Sequence, residues 1–214
     1  AFSPDSKKIH VDVDRSSINK NIHVDIGIVG DVGQVLGQIL EYWKVKNYSP
    51  NREALSEWWT IIQRWRSRDC LSYNQGTEVI LPQHAIKRLY ELTKGRDTYI
   101  TTEVGQHQMW AAQYYKFEEP NRWMTSGGLG TMGYGLPAAV GVQIAHPESL
   151  VVDIAGEAST MMNIQELATA KIEKINAKCL LLNNQHLGMV MQWEDRFFDG
   201  RRAHTWLGPV DAPE

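Results

Sequence analysis

In KIHVDVD, apolar Ile9, Val11 and Val13 alternate with polar His10, Asp12 and Asp14, the period-two pattern of a strand with one wet face. HVDIGIVGDV repeats the pattern after a short loop. From Val32 the spacing changes. Val32, Val35, Leu36, Ile39, Leu40 and Trp43 follow the i, i+3, i+4, i+7 rule of an amphipathic helix, so the opening segment reads as the tail of an α/β unit. Residues 44–80 combine a loop and helix start, NYSPNREA, with a Trp-rich helical stretch from Leu55 to Trp65 and a polar connector, SYNQGTE. A further α/β unit opens with Pro82 at a first helical position, followed by Ile86, Leu89 and Tyr90 on one face. Three strand-then-turn segments follow: TYITTEVGQH (98–107), SLVVDIAGEAS (149–159) and KCLLLNNQHLG (178–188). The last two are short continuous apolar runs, as expected of interior parallel strands covered on both faces by helices.

Composition narrows the class without changing this outline. The 214 residues are 43% hydrophobic and 22% charged with a net charge of -3, enough apolar material for a sizeable core. The charges are spread out, and no basic stripe points to nucleic acid. Cys70 and Cys179 lie far apart without a C-x-x-C partner, so neither a zinc site nor a disulfide framework is signalled. No apolar stretch approaches the roughly 20 residues of a membrane span, and AFSPDSKK lacks a signal-peptide core. The abrupt start and the stop at GPVDAPE read as a fragment of a longer enzyme.

Topology turns the three turns into a candidate site. In an open parallel sheet the ligand crevice lies at the carboxyl ends of the strands, so EVGQH, AGEAS and NNQHLG are expected at one edge. Each leads into a predicted helix, whose first N–H groups are unpaired and favour phosphate oxygens. Glu157 at such a helix start has a plain reading, the offset of a helix dipole. It also has a chemical one, because Mg²⁺ on a diphosphate needs only one or two carboxylates beside the phosphates. A side-chain amide oxygen from Asn184 and a backbone carbonyl would help fill that octahedron.

Gly156-Glu157-Ala158 followed by Asn183-Asn184 resembles the thiamine-diphosphate signature, usually Gly-Asp-Gly and then Asn-Asn. TTEVGQHQMWAAQYY, RWMTSGGLGTMGYGLPAAVG, MNIQELATA and LLLNNQHLGMVMQWEDRF resemble acetohydroxyacid synthase (acetolactate synthase), over nearly the whole chain. KIHVDVDRSSINKN with VGDV is similar to the end of that family's central flavin-binding domain.

The resemblance implies an α/β fold: a doubly wound parallel sheet preceded by the tail of a Rossmann-like domain. Its division would be 1–46 for the end of an FAD-binding domain, 47–80 for a linker and 81–214 for a thiamine-diphosphate-binding domain. It implies Mg²⁺ on Glu157, the Asn184 side chain and the backbone oxygen of His186. Val104, Gly105, Gln106 and His107 would surround the diphosphate and the reacting centre. Gly130 and Met132 would contact the aminopyrimidine, with Met132 the apolar prop that bends the cofactor. Ala158, Ser159, Leu187, Gly188 and Met189 would complete the diphosphate cradle. Asp12, Val13, Asp31 and Val32 would touch FAD, and Trp193 would shape the second-substrate pocket. Gln106, His107, Met132 and Trp193 would thus act at the reaction itself.

The implied activity is decarboxylation of pyruvate and condensation of its two-carbon unit with a second 2-ketoacid, giving acetolactate or acetohydroxybutyrate. The implied assembly is a homodimer or homotetramer with a site shared between subunits, and a small regulatory subunit is common in the family. The implied compartment is the bacterial cytosol or the plastid. A glutamate that activates the cofactor would come from an N-terminal domain of a partner subunit, so these residues alone would be inactive.

Two departures stand at the signature. Glu157 is one methylene longer than the usual Asp, and Ala158 one methyl larger than the usual Gly, which predicts weakened or shifted metal binding. The rivals are another thiamine enzyme, such as a glyoxylate carboligase or pyruvate oxidase, and a non-catalytic remnant of the fold. GLGTMG at 128–133 fits G-x-G-x-x-G, but EEPNRWMTS before it does not read as the strand a nicotinamide fingerprint demands. His107 has an alternative as a structural histidine. Trp58, Trp59 and Trp65 read as packing residues.

Overall fold

A computed structural model describes residues 3–208, so Ala1, Phe2 and the final PVDAPE lie outside the described residues. The chain divides into two compact units, Ala1–Cys70 and Leu71–Glu214.

In the first unit, strands β1 (Ile9–Asp12) and β2 (Ile26–Val29) pair in parallel, with Ile9 opposite Ile26 and Asp12 opposite Val29. Between them Asp14 accepts from the Ser16 amide at 2.8 Å and closes a short 3-10 turn. Helix α1 (Val32–Val45) is capped by Asp31, which accepts from the Gln34 amide at 3.0 Å, and α2 (Arg52–Arg66) by Asn51, which accepts from the Ala54 amide at 3.1 Å. Both caps satisfy N–H groups that a helix start leaves unpaired. Trp58 and Trp65 meet edge to face at 5.4 Å on α2.

The second unit holds the core. Its elements are α3 (Pro82–Thr93), β3 (Thr98–Thr102), α4 (Gln106–Tyr114), β4 (Trp123–Thr125), α5 (Gly135–Ala145), β5 (Leu150–Ala155), α6 (Glu157–Met162), α7 (Glu166–Ile172), β6 (Lys178–Leu181) and α8 (Gly188–Phe197). The sheet runs β4-β3-β5-β6 and every pairing is parallel. Pro82 occupies the start of α3, where its missing N–H costs nothing. Side chains alternate across β5: Val152 and Ile154 join Ile86, Ile100, Ala111 and Tyr115 in the main core, while α5 packs on the sheet with Leu136, Ala139 and Val140 buried. The sheet is therefore a doubly wound α/β layer.

One expectation is corrected. EEPNRWMTS does contain a strand: β4 pairs with β3, Trp123 opposite Ile100 and Thr125 opposite Thr102. Three residues at a sheet edge are too few to show a period. Their pairing is set by tertiary context, with Trp123 stacked on Phe117 at 5.0 Å. A long loop, 126–134, still separates this strand from α5, unlike the tight strand-to-helix turn of a dinucleotide fingerprint.

Gly135 opens α5 where it crosses the sheet. A Cβ there would lie 2.5 Å from the Glu103 amide nitrogen and 2.7 Å from the Thr102 carbonyl carbon, and would also strike Asp153 Oδ1. Backbone atoms cannot step aside. Gly135→Ala is therefore expected to destabilise the protein by at least about 1–3 kcal/mol, the ordinary cost of overpacking. The check is a urea midpoint, and an unchanged midpoint would contradict the close approach of α5.

Candidate cofactor site

Because β3, β5 and β6 are parallel, their carboxyl ends lie at one edge, and the three turns beyond them meet in a single cleft. The turn after β3 contributes Val104, Gly105, Gln106 and His107 to its wall. The turn after β5 contributes Glu157, Ala158 and Ser159, and the turn after β6 contributes Asn184, His186, Leu187, Gly188 and Met189. Met132 reaches the same wall from the loop before α5. Trp110, Gly156, Leu182 and Val190 also line it.

Other expected residues lie elsewhere. Gly130 stands outside the cleft wall, facing the Val104 side chain. Trp193 is 56% exposed on α8, packed on Phe197 at 4.9 Å, and does not line the cleft. Asp12, Val13, Asp31 and Val32 belong to the first unit, where Asp12 accepts from the Asp14 amide and Asp31 caps α1.

Two oxygens converge across the cleft. Glu157 Oε1 and Asn184 Oδ1 each accept from the His186 amide at 3.0 Å, although one follows β5 and the other follows β6. The longer arm of glutamate thus still reaches the turn after β6. Asn184 Nδ2 donates to Gln106 Oε1 at 3.5 Å, and Gln106 Nε2 donates to Gln192 Oε1 on α8 at 3.1 Å, so one amide links Asn184 to α8. Among the described residues no cluster of three or more His, Cys, Asp or Glu side chains is arranged around a metal position. The oxygens that converge here are instead one carboxylate and one side-chain amide, hard ligands of the kind Mg²⁺ takes.

His107 is buried, and its ring lies so close to the chain that a Cβ at Gly105 or Gly156 would come within 2.7 or 2.9 Å of its Cε1. Burial pushes its pKa down to about 4, against a hydrogen bond to the Glu103 backbone that favours the charged ring. Its Nε2 has no hydrogen-bond partner. That nitrogen is itself screened from solvent by the surrounding chain, so the neutral imidazole fills the wall rather than offering an open acceptor to the cleft.

Two acids that motif matching passed over lie behind this wall. Glu103 is buried and accepts from the Gly133 amide at 2.8 Å, the Leu136 amide at 2.9 Å and the Ser159 hydroxyl at 2.7 Å. Asp153 is buried, accepts from Thr101 Oγ1 at 2.9 Å, and leaves Oδ2 without a partner. Burial pushes its pKa up to about 7, and the nearby Glu103 charge adds to the rise. The signal for both was an acid inside, or just beyond, a strand that reads as fully buried.

The sequence pattern of the family described as "Thiamine pyrophosphate enzyme, C-terminal TPP binding domain" matches residues 103–214. The chain is 47% identical over 206 residues to the acetolactate synthase isozyme 3 large subunit of Escherichia coli (strain K12), covering 96% of this chain and 36% of that protein. It is 47% identical over 211 residues to the chloroplastic acetolactate synthase of Arabidopsis thaliana, covering 97% and 31%. It is 48% identical over 214 residues to acetolactate synthase 1, chloroplastic, of Nicotiana tabacum, again covering 97% and 31%. The chain thus spans about a third of the length of the curated relatives it matches. No helix among the described residues is long and apolar enough to cross a membrane.

His107 and Asp153 give stability opposite pH slopes. The folded pKa of Asp153, about 7 against an ordinary 3.8, keeps a proton that the unfolded chain releases, so stability falls as pH rises from about 4 to 7. The folded pKa of His107, about 4 against 6.5, refuses a proton that the unfolded chain takes up, so stability falls as pH drops from 6.5 to 4. Asp153→Asn should gain on the wild type as pH rises through the first window, and His107→Gln should gain as pH falls through the second. Each gain is at most about 1.4 kcal/mol per pH unit, read from unfolding midpoints between pH 4 and 8. Curves parallel to the wild type would refute the assignments.

Proposed function

The chain belongs to the thiamine pyrophosphate enzyme family, and on that premise we propose that it is part of an acetohydroxyacid synthase large subunit, the end of the central domain and most of the C-terminal domain. The reaction proposed is decarboxylation of pyruvate and condensation with pyruvate or 2-ketobutyrate, giving acetolactate or acetohydroxybutyrate. The observation that carries this reading is the convergence of Glu157 Oε1 and Asn184 Oδ1, from the turns of two neighbouring parallel strands, on the single amide of His186.

The residues present fit the cofactor. Glu157, the Asn184 side chain and the His186 backbone oxygen would hold Mg²⁺ on the diphosphate, and its cradle is narrow: a Cβ at Gly188 would come within 2.7 Å of Asn184 Nδ2 and would strike Gln106 Oε1. When bound, thiamine diphosphate supplies the electron sink that accepts the pair released with CO2. The chain's own residues do the rest. Met132 would prop the bent cofactor, and His107, kept neutral by burial, would pack beside the diphosphate and the reacting centre. Val104, Trp110, Leu182 and Val190 make much of the wall apolar, so water is reduced and each polar contact inside is strengthened.

The finer assignments rest on the resemblance and on the named relatives. FAD would be held by Asp12, Val13, Asp31 and Val32 at the end of a flavin-binding domain covering 1–46, followed by a linker at 47–80 and the thiamine-diphosphate domain from 81. Gly130 would meet the aminopyrimidine, and Trp193 the second ketoacid. The assembly proposed is a homodimer or homotetramer with shared sites and a small regulatory subunit, in the bacterial cytosol or the plastid.

The full-length protein reconstituted with Mg²⁺, thiamine diphosphate and FAD is expected to form acetolactate from pyruvate, measured by colorimetric assay. Glu157→Ala should raise the Mg²⁺ concentration needed for half-maximal activity about tenfold or more, a loss of about 1.4 kcal/mol of binding. An unchanged Mg²⁺ requirement would overturn the metal assignment.

A further inference from the structure

We propose that Glu103 is a positioning residue for the cofactor, holding the loop that carries Met132 in register with the diphosphate side of the cleft; this rests on the thiamine-diphosphate reading above.

The carboxylate is fully buried and, among the described residues, no basic side chain pairs with it, so its burial is compensated by hydrogen bonds. All three partners donate, which is the arrangement an acceptor-only carboxylate satisfies. None belongs to Glu103's own element. Gly133 directly follows Met132, Leu136 lies in the first turn of α5, and Ser159 lies in α6 behind the Glu157 turn. The α5 start has no side-chain cap of its own, so Glu103 supplies from another strand the acceptor that Leu136 N–H would otherwise lack.

Gly133, the residue after Met132, is held at both its amide and its carbonyl. The Gly133 amide also reaches Ser159 Oγ at 3.1 Å, and the Gly133 carbonyl accepts from Asn163 Nδ2 at 2.5 Å. On the other side of Met132, the Thr131 amide donates to Ser126 Oγ at 2.9 Å, while Leu129 at the tip is 96% exposed. The loop therefore has a free tip and a fixed foot, and the foot is Glu103. Because Glu103 directly precedes Val104, the same residue fixes the start of the first cleft turn.

Glutamine at 103 would present an amide group to at least one of the three donors, leaving that donor unpaired in the interior and loosening the loop. The loss should fall on the thiamine end of the ligand, where Met132 stands, more than on the diphosphate end. The test is calorimetric titration of the full-length protein and its Glu103→Gln variant with thiamine diphosphate and, separately, with inorganic pyrophosphate, both with Mg²⁺. The expected result is an affinity for thiamine diphosphate about tenfold weaker in the variant, with pyrophosphate affinity within about twofold of the wild type. Met132→Ala combined with Glu103→Gln should then be no weaker than Met132→Ala alone.

Equal losses for both ligands, no loss for either, or additive losses in the double variant would overturn the assignment. If Glu103→Gln is recovered only unfolded, Glu103→Asp, which keeps both acceptors but withdraws them by one methylene, takes the same titrations, and equal or absent losses there refute the proposal. A wild-type protein that binds pyrophosphate but not thiamine diphosphate would instead sink the functional reading itself.

Discussion

The site depends on the parallel hydrogen-bonded ladder that joins β3, β5 and β6. Thr102 stands opposite Ile154, and Ala155 opposite Leu181, so the three strands end almost level. A level edge brings the Val104, Glu157 and Asn184 turns to one place although they are remote in sequence. A register slip of one residue would turn every side chain of a strand to the other face. Thr101 and Asp153, paired across the ladder and hydrogen-bonded, would then no longer share the face that meets α5.

Three carboxylates lie close to that edge, and the fold treats each differently. Glu103 has both oxygens engaged by donors from the surrounding loops, and Glu157 turns an oxygen to a backbone amide beside the cleft. Asp153 has one oxygen engaged and one without a partner among the described residues, and burial, with the nearby Glu103 charge, raises its pKa. The gradation runs from the interior toward the cleft, with Glu157 the acid that lines its wall.

Much of this was legible in the chain. Alternation gave β1, and the switch to helical spacing at Val32 gave α1, although Ile9, Leu36 and Leu40 stay exposed in this unit and Val35 is the buried residue of α1. The apolar runs at 149–155 and 178–182 gave β5 and β6, and their direction gave the shared edge. β4 was missed because three residues carry no period. α5 was not marked because GLPAAVGVQIA is apolar nearly all round, and a helix enclosed by its neighbours shows no stripe. Glu103 stood in full view in TTEVGQH, but its importance lies in which amides it meets, and those are about thirty residues or more away. The roles of Trp193, Gly130 and the first-unit residues came from family resemblance, and local geometry alone would not single them out.

The strand order β4-β3-β5-β6 also has a kinetic meaning. Every ladder in this sheet is a crossover connection, so each contact must close a long loop before it gains anything, and chains built this way fold slowly. The last turn of the cleft, 182–187, follows the last strand, so during synthesis the hydrophobic face of β5 is made well before β6 arrives to cover its edge. A nascent chain paused between these strands would display an unpaired apolar edge, the kind of surface that chaperones exist to shield.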